Sequence, residues 1–174
     1  EFTEDFEKLK AHLKHEASGY SSVYLRPRMP YLSEEQRLEE LEERLKSIAE
    51  DAEITNITSQ NEEMVGYLLE KPYIFEGDAE LSSLIEKAGN KYLFKMGMVI
   101  GRQVEMYQDT SRQFDVENSY NHGYKRVLNI AIPEGYKITN LEDLNMDVFS
   151  ENGDEKTMEF TCAYEVNGNI LTVT

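Results

Sequence analysis

Four side chains could carry nucleophilic or acid–base chemistry in this chain, namely one cysteine and three histidines. A cysteine nucleophile needs a base within hydrogen-bond reach and a third group that orients the base, so Cys162 would have to pair with His12, His15 or His122. Cys162 follows Phe160 at a spacing of two in an alternating apolar pattern, which is typical of a small buried hydrophobic residue. We therefore assign no catalytic residue and predict that the chain is not itself an enzyme.

The histidines are not spaced as a metal site. His12 and His15 are three residues apart, so they would share one face of a helix but lie on opposite faces of a strand. His122 precedes Gly123 in a stretch that is typical of a turn. The single cysteine excludes an internal disulfide and every zinc motif that contains a pair of cysteines. The sequence therefore predicts no metal site and no bound cofactor.

Two other kinds of chemistry stay open as alternatives. Paired carboxylates could make the chain a carboxylate-dependent hydrolase of glycans, although 34 acidic residues make a chance pair uninformative. Eleven tyrosines could line a groove that binds a glycan or a peptide. The acidic turn at residues 152–155 lacks the alternating ligands and the final glutamate of a calcium loop. The chain also has no Walker A or dinucleotide-binding glycine motif, so nucleotide binding is not predicted.

The composition is that of a globular protein with a strongly acidic surface. The 174 residues are 40% hydrophobic and 30% charged, and the formal net charge is −16 with an isoelectric point near 4.6. A charge of this sign opposes binding to nucleic acid or to an anionic membrane surface. No apolar run reaches the roughly 18 residues that a spanning helix needs. We therefore predict no nucleic-acid partner and no membrane insertion.

A long amphipathic helix is the clearest predicted element, at residues 33–52. Ser33-Glu34-Glu35-Gln36 is a capping box, in which the serine and glutamine side chains satisfy backbone N–H groups at the helix start. One apolar stripe then recurs at spacings of three and four: Leu38, Leu41, Leu45, Ile48 and Ala52. Ion pairs at i,i+4 are expected on the exposed side: Glu40 with Arg44, and Glu42 with Lys46. A single stripe predicts a helix packed on one surface, a sheet.

Short strands are predicted on both sides of this helix, from alternating patterns and from β-branched or aromatic residues. In the first part of the chain they lie at residues 8–17, 23–25, 54–57, 71–75 and 92–94. A turn is predicted at Gly77-Asp78, and residues 98–106 are predicted as either a short helix or a loop packed into the core. Later in the chain, Phe114 and Val116 alternate with polar residues, as in a strand. Leu141, Leu144 and Met146 predict a connector with buried side chains, and Asn167-Gly168 predicts a type I′ hairpin turn.

Residues 124–138 are predicted to be the strand-turn-strand unit around which the chain is organised. Leu128, Ile130 and Ile132 alternate with smaller or polar residues, which favours a central, half-buried antiparallel strand. Pro133-Glu134-Gly135-Tyr136 then closes the strand, because proline presets φ and glycine accepts a positive φ.

These elements predict a β-rich α+β fold, with antiparallel sheets and one long amphipathic helix packed across a sheet. A β-sandwich is one arrangement that the pattern allows. We expect one domain over residues 1–174, with a subdivision into an α+β part at 1–107 and a β-meander part at 114–174 as the alternative. The boundary would then lie in the glycine-free polar run at residues 108–113.

Several short motifs, taken in their order, carry a family resemblance. They resemble the region after the catalytic core in bacterial transglutaminase-like proteins, whose uncharacterised flanking domains are labelled DUF3857 at the N-terminus and DUF3858 at the C-terminus. The motifs cover most of the chain and include much of residues 124–138: Gly19-Tyr20, Tyr24-Leu25-Arg26, Lys71-Pro72-Tyr73, Gly89-Asn90-Lys91-Tyr92-Leu93-Phe94, Arg112-Gln113-Phe114-Asp115-Val116 and Ile132-Pro133-Glu134-Gly135-Tyr136-Lys137.

The resemblance implies a non-catalytic accessory or interaction domain. In that family the catalytic Cys, His and Asp follow one another in a papain-like core upstream, whereas here all three histidines precede Cys162, so no catalytic residue carries over. The implied partner is the transglutaminase-like core of the same parent chain, with a protein or glycan ligand as a further option. The implied location is the bacterial cell envelope or periplasm. The chain starts without methionine and ends at residues 171–174 in strand-like sequence, so we expect it to be a processed or excised piece.

Overall fold

The computed structural model of the chain describes residues 1–48, 50–64, 71–100, 109–111, 113, 120–152 and 155–174. It is 41% strand and 21% helical with antiparallel sheets, which confirms the prediction of a β-rich α+β fold. The chain separates into two compact units, one at Phe2–Gln103 and one at Val104–Thr174 with Glu1. Among the described residues, no helix is long and apolar enough to cross a membrane.

A three-stranded antiparallel sheet forms the centre of the first unit. Its strands are β1 (Leu9–Ala17), β2 (Glu53–Gln60) and β3 (Tyr73–Leu81), in the order β1-β3-β2. The strands predicted at residues 8–17 and 54–57 are therefore confirmed. A separate hairpin follows, made of β4 (Ile85–Ala88) and β5 (Lys91–Phe94). Because β3 has a neighbour on both sides, it is the element that holds this unit together.

The turn predicted at Gly77-Asp78 is wrong, because both residues lie within β3. A Cβ atom at Gly77 would lie 3.1 Å from Leu45 Cδ1 and 3.2 Å from the carbonyl oxygen of Thr55. Both distances are shorter than an ordinary van der Waals contact of 3.4–4 Å. The glycine is thus required by close packing against the helix and the neighbouring strand, and not by a turn.

Helix α2 (Glu34–Leu45) begins with the predicted capping box. The Ser33 hydroxyl accepts a hydrogen bond from the Gln36 backbone N–H at 3.2 Å, and the Gln36 side chain accepts one from the Ser33 N–H at 3.0 Å. The helix is shorter than predicted, since it tightens into a 3-10 helix at Lys46–Ile48. Shortly before β2, the Asp51 side chain accepts hydrogen bonds from the backbone N–H groups of Ser82 and Ser83, in the turn after β3.

The apolar stripe of α2 is buried only in part. Leu41 and Leu45 are buried against the sheet, whereas Leu38 is 43% exposed at the margin of the contact. Both predicted i,i+4 ion pairs are present, each with a nitrogen–oxygen distance of 2.7 Å. The core under the helix consists of six buried side chains: Leu25, Met29, Leu41, Leu45, Tyr73 and Phe75.

The strand predicted at residues 23–25 is wrong, because the chain there is helical. A short helix, α1 (Tyr20–Val23), starts after Gly19, whose φ of +52° suits glycine. The carbonyl oxygen of Ser22 accepts bonds from two later N–H groups and so continues the turn. A 3-10 helix follows at Met29–Tyr31. Leu25 and Met29, four residues apart, lie on one face of this helical segment, and both are buried in the core.

The region predicted as a short helix or a loop at residues 98–106 is a 3-10 helix at Met96–Ile100, and its remainder lies outside the described residues. The predicted alternation of Phe114 with Val116 also lies outside them. The run at residues 108–113, predicted as a boundary, lies partly outside them and stays a prediction.

The second unit contains another three-stranded antiparallel sheet. Its strands are β6 (Leu128–Ala131), β9 (Tyr164–Asn167) and β10 (Ile170–Val173), in the order β6-β10-β9. The prediction that β6 is central is wrong, since β6 lies at the edge and β10 lies in the middle. Leu171 and Val173 give β10 two buried positions, and β6 has none among its four residues.

The predicted second half of the strand-turn-strand unit is also wrong. The turn itself is present, with the Tyr136 N–H bonded to the Pro133 carbonyl oxygen at 3.1 Å and Gly135 at a φ of +81°. No strand follows it at residues 136–140. The chain continues into a 3-10 helix at Leu141–Leu144, so that β6 pairs with β10 from the far end of the chain.

The last hairpin of the chain is confirmed, but its turn is shifted by one residue. Asn167 pairs with Ile170, so the two loop residues are Gly168 and Asn169. Gly168, at the first loop position, has a φ of +61°, whereas the φ of Asn169 at the second position is not positive. This combination fits a type II′ turn, because the predicted type I′ turn needs a positive φ at both positions. A further hairpin in this unit joins β7 (Met146–Asn152) to β8 (Glu155–Cys162).

Candidate functional site

The only cysteine lies at the end of β8. Cys162 pairs across the hairpin with Met146 and is half-buried, so it is less covered than the small buried residue that the alternating pattern predicts. His122 is in the same unit, and its described contacts are with Tyr120 and Tyr124. The described contacts of Cys162 and His122 therefore do not join the thiol to an imidazole.

His12 stands on the polar face of the first sheet beside two carboxylates. Its Nδ1 atom lies 2.9 Å from Asp78 Oδ1, and its Nε2 atom lies 3.8 Å from Glu76 Oε2. Asn56 donates a hydrogen bond of 2.7 Å to the other oxygen of Asp78. The bonds from Asn56 and then His12 hold the pKa of the Asp78 carboxyl below its usual range. The cluster links three strands on their exposed side.

His15 lies on the opposite face of β1, as the strand prediction required. Its ring stacks on Phe75 with 4.7 Å between the centroids. Within the described part of the chain, no group of three or more His, Cys, Asp or Glu side chains is arranged to hold a metal ion. The histidines of β1 thus take part in separate contacts on the two faces of the sheet.

A pocket of about 430 Å³ lies between α2 and β2. Two carboxylates line it, Glu34 and Glu62. Glu62 lies 3.0 Å from an Arg37 guanidinium nitrogen and also accepts a hydrogen bond from the Ser59 hydroxyl. Burial and the nearby charge of Glu62 raise the pKa of Tyr73 to about 12, so this phenol stays protonated at neutral pH. Because Glu62 is already bound twice, the lining does not offer two carboxylates free for acid and base roles.

Arg26, the arginine of the Tyr24-Leu25-Arg26 motif, is buried in the first unit. Its Nη2 atom donates a hydrogen bond to the carbonyl oxygen of Lys71, just before β3. This hydrogen bond from a buried guanidinium to a backbone carbonyl connects the segment after α1 to the start of the central strand. Arg26 and Lys71 belong to two separate sequence motifs, and this hydrogen bond joins those motifs in the fold.

An apolar face of the β7–β8 hairpin is open to solvent. Cross-strand pairing places five apolar or sulfur-containing side chains on one side, because residues at a spacing of two share a face: Met146, Val148, Met158, Phe160 and Cys162. Four of them are between 43% and 61% exposed. We call these five residues the apolar face. A two-stranded hairpin alone is only marginally stable in water, so such a face is usually covered.

The hairpin that carries the apolar face is acidic. Between Met146 and Cys162 the sequence has five carboxylates and a single cation, Lys156. That lysine lies 2.8 Å from Glu159 and 4.5 Å from the centre of the Phe149 ring, so it is engaged on the other side of the hairpin. The hairpin therefore combines an exposed apolar face with a net negative charge.

A second exposed feature is a row of side chains at alternating positions before β6. The ring centroids of Tyr120 and His122 lie 5.6 Å apart, and those of His122 and Tyr124 lie 5.3 Å apart. The Arg126 guanidinium lies 5.1 Å from the centre of the Tyr124 ring. We call Tyr120, His122, Tyr124 and Arg126 the aromatic strip.

Neither surface was found by sequence reasoning. Phe160 and Cys162 were predicted to be buried because alternation shows which residues share a face, but it does not show whether anything covers that face. His122 was interpreted as part of a turn and Tyr124 as the start of a strand. The available signal for the strip was the spacing of two that joins Tyr120, His122, Tyr124 and Arg126.

Comparison of the chain with protein-family models, with curated proteins and with solved structures finds no match in any of the three.

Proposed function

We propose that the chain is a non-catalytic accessory domain that docks onto a protein partner through the apolar face. The observation that carries this proposal is the one-sided exposure of Val148, Met158 and Phe160 on a two-stranded hairpin. An exposed patch of large apolar side chains with a polar rim is typical of a protein-binding surface. The partner we propose is the transglutaminase-like core of the same exported parent chain.

Burial of the apolar face provides the driving force. Complete burial of a Val, Met or Phe side chain stabilises by about 1.5–3 kcal/mol, and Val148 and Met158 still expose more than half of their surface. Covering each side chain would thus yield on the order of 1 kcal/mol. Binding costs translational and rotational freedom, so a partner must also complement the charge of the hairpin.

The negative charge of the hairpin selects the kind of partner. The carboxylates of β7 and β8 repel phosphates and anionic lipids, which argues against nucleic acid and an anionic membrane as occupants. They attract a protein surface that has an apolar centre and lysine or arginine at its edge. The family resemblance supplies a candidate for that surface, because a catalytic core would precede this region in the same chain.

Contacts of the potential catalytic groups support a non-catalytic role. The described contacts of Cys162 are with its cross-strand partner, those of His122 are with tyrosines, and those of His12 are with carboxylates. Glu62 is bound by Arg37 and Ser59. None of these described contacts pairs a nucleophile with a base.

The first test is the coding sequence upstream of Glu1. We expect it to encode a Cys-His-Asp core behind a signal peptide. That core, produced as a separate polypeptide, should bind the chain in isothermal titration calorimetry. Val148→Asp places a charge in the apolar face and should weaken binding at least tenfold. Leu93→Asp, at an exposed site of β5, is the matched control and should bind like the wild type.

Several results would contradict the proposal. A reading frame that starts near Glu1 would remove the proposed partner. Equal binding by Val148→Asp and the wild type would show that the core docks elsewhere. A concentration-dependent dimer that Val148→Asp dissociates would make a second copy the occupant. Peptidase or transamidase activity that is lost in Cys162→Ala would show that the chain is an enzyme.

A further inference from the structure

The aromatic strip presents rings and a cation in one continuous row. Successive rings meet edge to face, with interplanar angles of 62° and 72°. Tyr124 is 73% exposed, and His122 and Arg126 are also exposed. Each neighbour therefore orients the next ring while one side of the row stays in contact with solvent.

The charge beside the strip is opposite to that of the rest of the chain. Most cations of the described residues pair with carboxylates: Lys8, Lys10, Lys14, Arg28, Arg37, Arg44, Lys46, Lys95 and Lys156. Arg126, at the end of the strip, takes part in none of these described pairs. In a chain with a net charge of −16, this guanidinium beside exposed rings forms a local positive site.

We propose that the aromatic strip is a binding site for anionic saccharides, that is, glycan chains whose sugars carry carboxylates. The apolar C–H faces of sugar rings pack on the faces of tyrosine rings, and sugar hydroxyls bond to the phenol and imidazole groups. A uronate carboxylate pairs with Arg126 in a charge-assisted hydrogen bond. The ligand thus matches both the rings and the cation.

The proportion of rings to cations favours a saccharide over an acidic peptide. Three rings and one cation fit a ligand that repeats flat C–H faces and carries a few carboxylates. An acidic peptide has a carboxylate on most residues and few flat apolar faces, so it would leave most of the strip without a matching contact. The acidic peptide is therefore the competing ligand that the experiment must separate.

The full chain is titrated with sodium polygalacturonate at low ionic strength, and binding is followed by NMR chemical-shift changes. We expect saturable binding that weakens at high salt. Tyr124→Ala and Arg126→Gln should each weaken it about tenfold, because each removes a ring contact or a charge-assisted bond. Arg126→Lys should retain part of the affinity. Tyr31→Ala, at a tyrosine that is 88% exposed in the first unit, should bind like the wild type.

Comparison ligands decide the chemical class. Neutral dextran should bind much more weakly than polygalacturonate, and poly-L-glutamate should bind weakly and be insensitive to Tyr124→Ala. Equal binding of dextran would overturn the role of charge, and tight, Tyr124-dependent binding of poly-L-glutamate would make the ligand a peptide. Absence of polygalacturonate binding would reject the proposal. These results are independent of Val148 and the apolar face, so they do not decide whether the chain docks on a catalytic core.

Discussion

The two units of the chain treat their apolar residues differently. In the first unit, α2 covers the sheet, and Leu41, Tyr73 and Phe75 are all buried. In the second unit, burial is limited to Leu171 and Val173 among the described hydrophobic residues, while the β7–β8 hairpin leaves its apolar face in solvent. A similar alternating pattern in sequence thus gives a core in one unit and an open surface in the other.

The difference lies in what is available to cover each sheet. The first unit has an amphipathic helix with one apolar stripe, and a glycine in β3 lets that helix approach closely. The described part of the second unit offers only short 3-10 and extended segments around β7 and β8. The first unit is therefore expected to depend on its own packing, whereas the second is expected to depend on a partner.

The largest effect is expected from removing a core contact of the first unit. Leu41→Ala should lower the free energy of unfolding by about 2–5 kcal/mol, since it removes a buried side chain and leaves a cavity. Urea unfolding and hydrogen exchange of the β3 amides measure this loss. Leu38→Ala, one turn earlier on the same helix but partly exposed, should cost less than about 1 kcal/mol. Equal costs at both positions would show that α2 does not pack as described.

Overpacking should come next in size. Gly77→Ala adds a methyl group about 3 Å from Leu45 and from the Thr55 carbonyl oxygen, so we expect a loss of about 1–3 kcal/mol in unfolding free energy. Gly97→Ala is the control, because a Cβ atom there meets no atom within 4 Å and its φ is not positive. A neutral Gly77→Ala would mean that the helix can move away from β3 at little cost.

The sequence predicted local features better than long-range ones. The capping box at Ser33 and the strand at Leu9–Ala17 depend on neighbouring residues, and both are present. The position of β6 at a sheet edge was not predictable, because it depends on a partner some 40 residues later. Gly77 is typical of a turn when only its sequence neighbours are considered. Its close packing against Leu45 could not be predicted, because the helix that contains Leu45 lies elsewhere in the chain. The exposure of Phe160 likewise depends on what covers the hairpin.

A pH-dependent contribution distinguishes polar from apolar stabilisation in the first unit. Burial alone would raise the pKa of the Asp51 carboxyl, but hydrogen bonds from the backbone and hydroxyl groups of Ser82 and Ser83 outweigh it and hold the pKa well below its usual range. Stability from a carboxyl with a lowered pKa is complete above the unfolded value, near 4, and is lost as the pH falls toward the folded value.

Asp51→Asn should therefore destabilise the protein by about 1 kcal/mol at pH 7, a figure reduced for the solvent exposure of Asp51. The difference from the wild type should shrink as the pH falls from about 5 to 3. Urea midpoints measured across this range test the sign. Glu39→Gln, which removes one carboxylate at an exposed position of α2, is the control for the change in net charge. A difference that grows on acidification would assign the stabilising contacts to the protonated carboxyl.

The smallest effect is expected at the apolar face, where the contrast between the units is sharpest. Phe160 is 46% exposed, so Phe160→Ala removes less buried surface than truncation of a core side chain does, and it leaves no enclosed cavity. We expect it to lower the unfolding free energy by less than about 1 kcal/mol, in contrast to Leu41→Ala in the first unit. A loss as large as that of Leu41→Ala would mean that the face is already covered within the chain in solution, and docking through it would then be ruled out. A small loss together with weaker binding to the core would place the contribution of Phe160 in the complex and not in the fold.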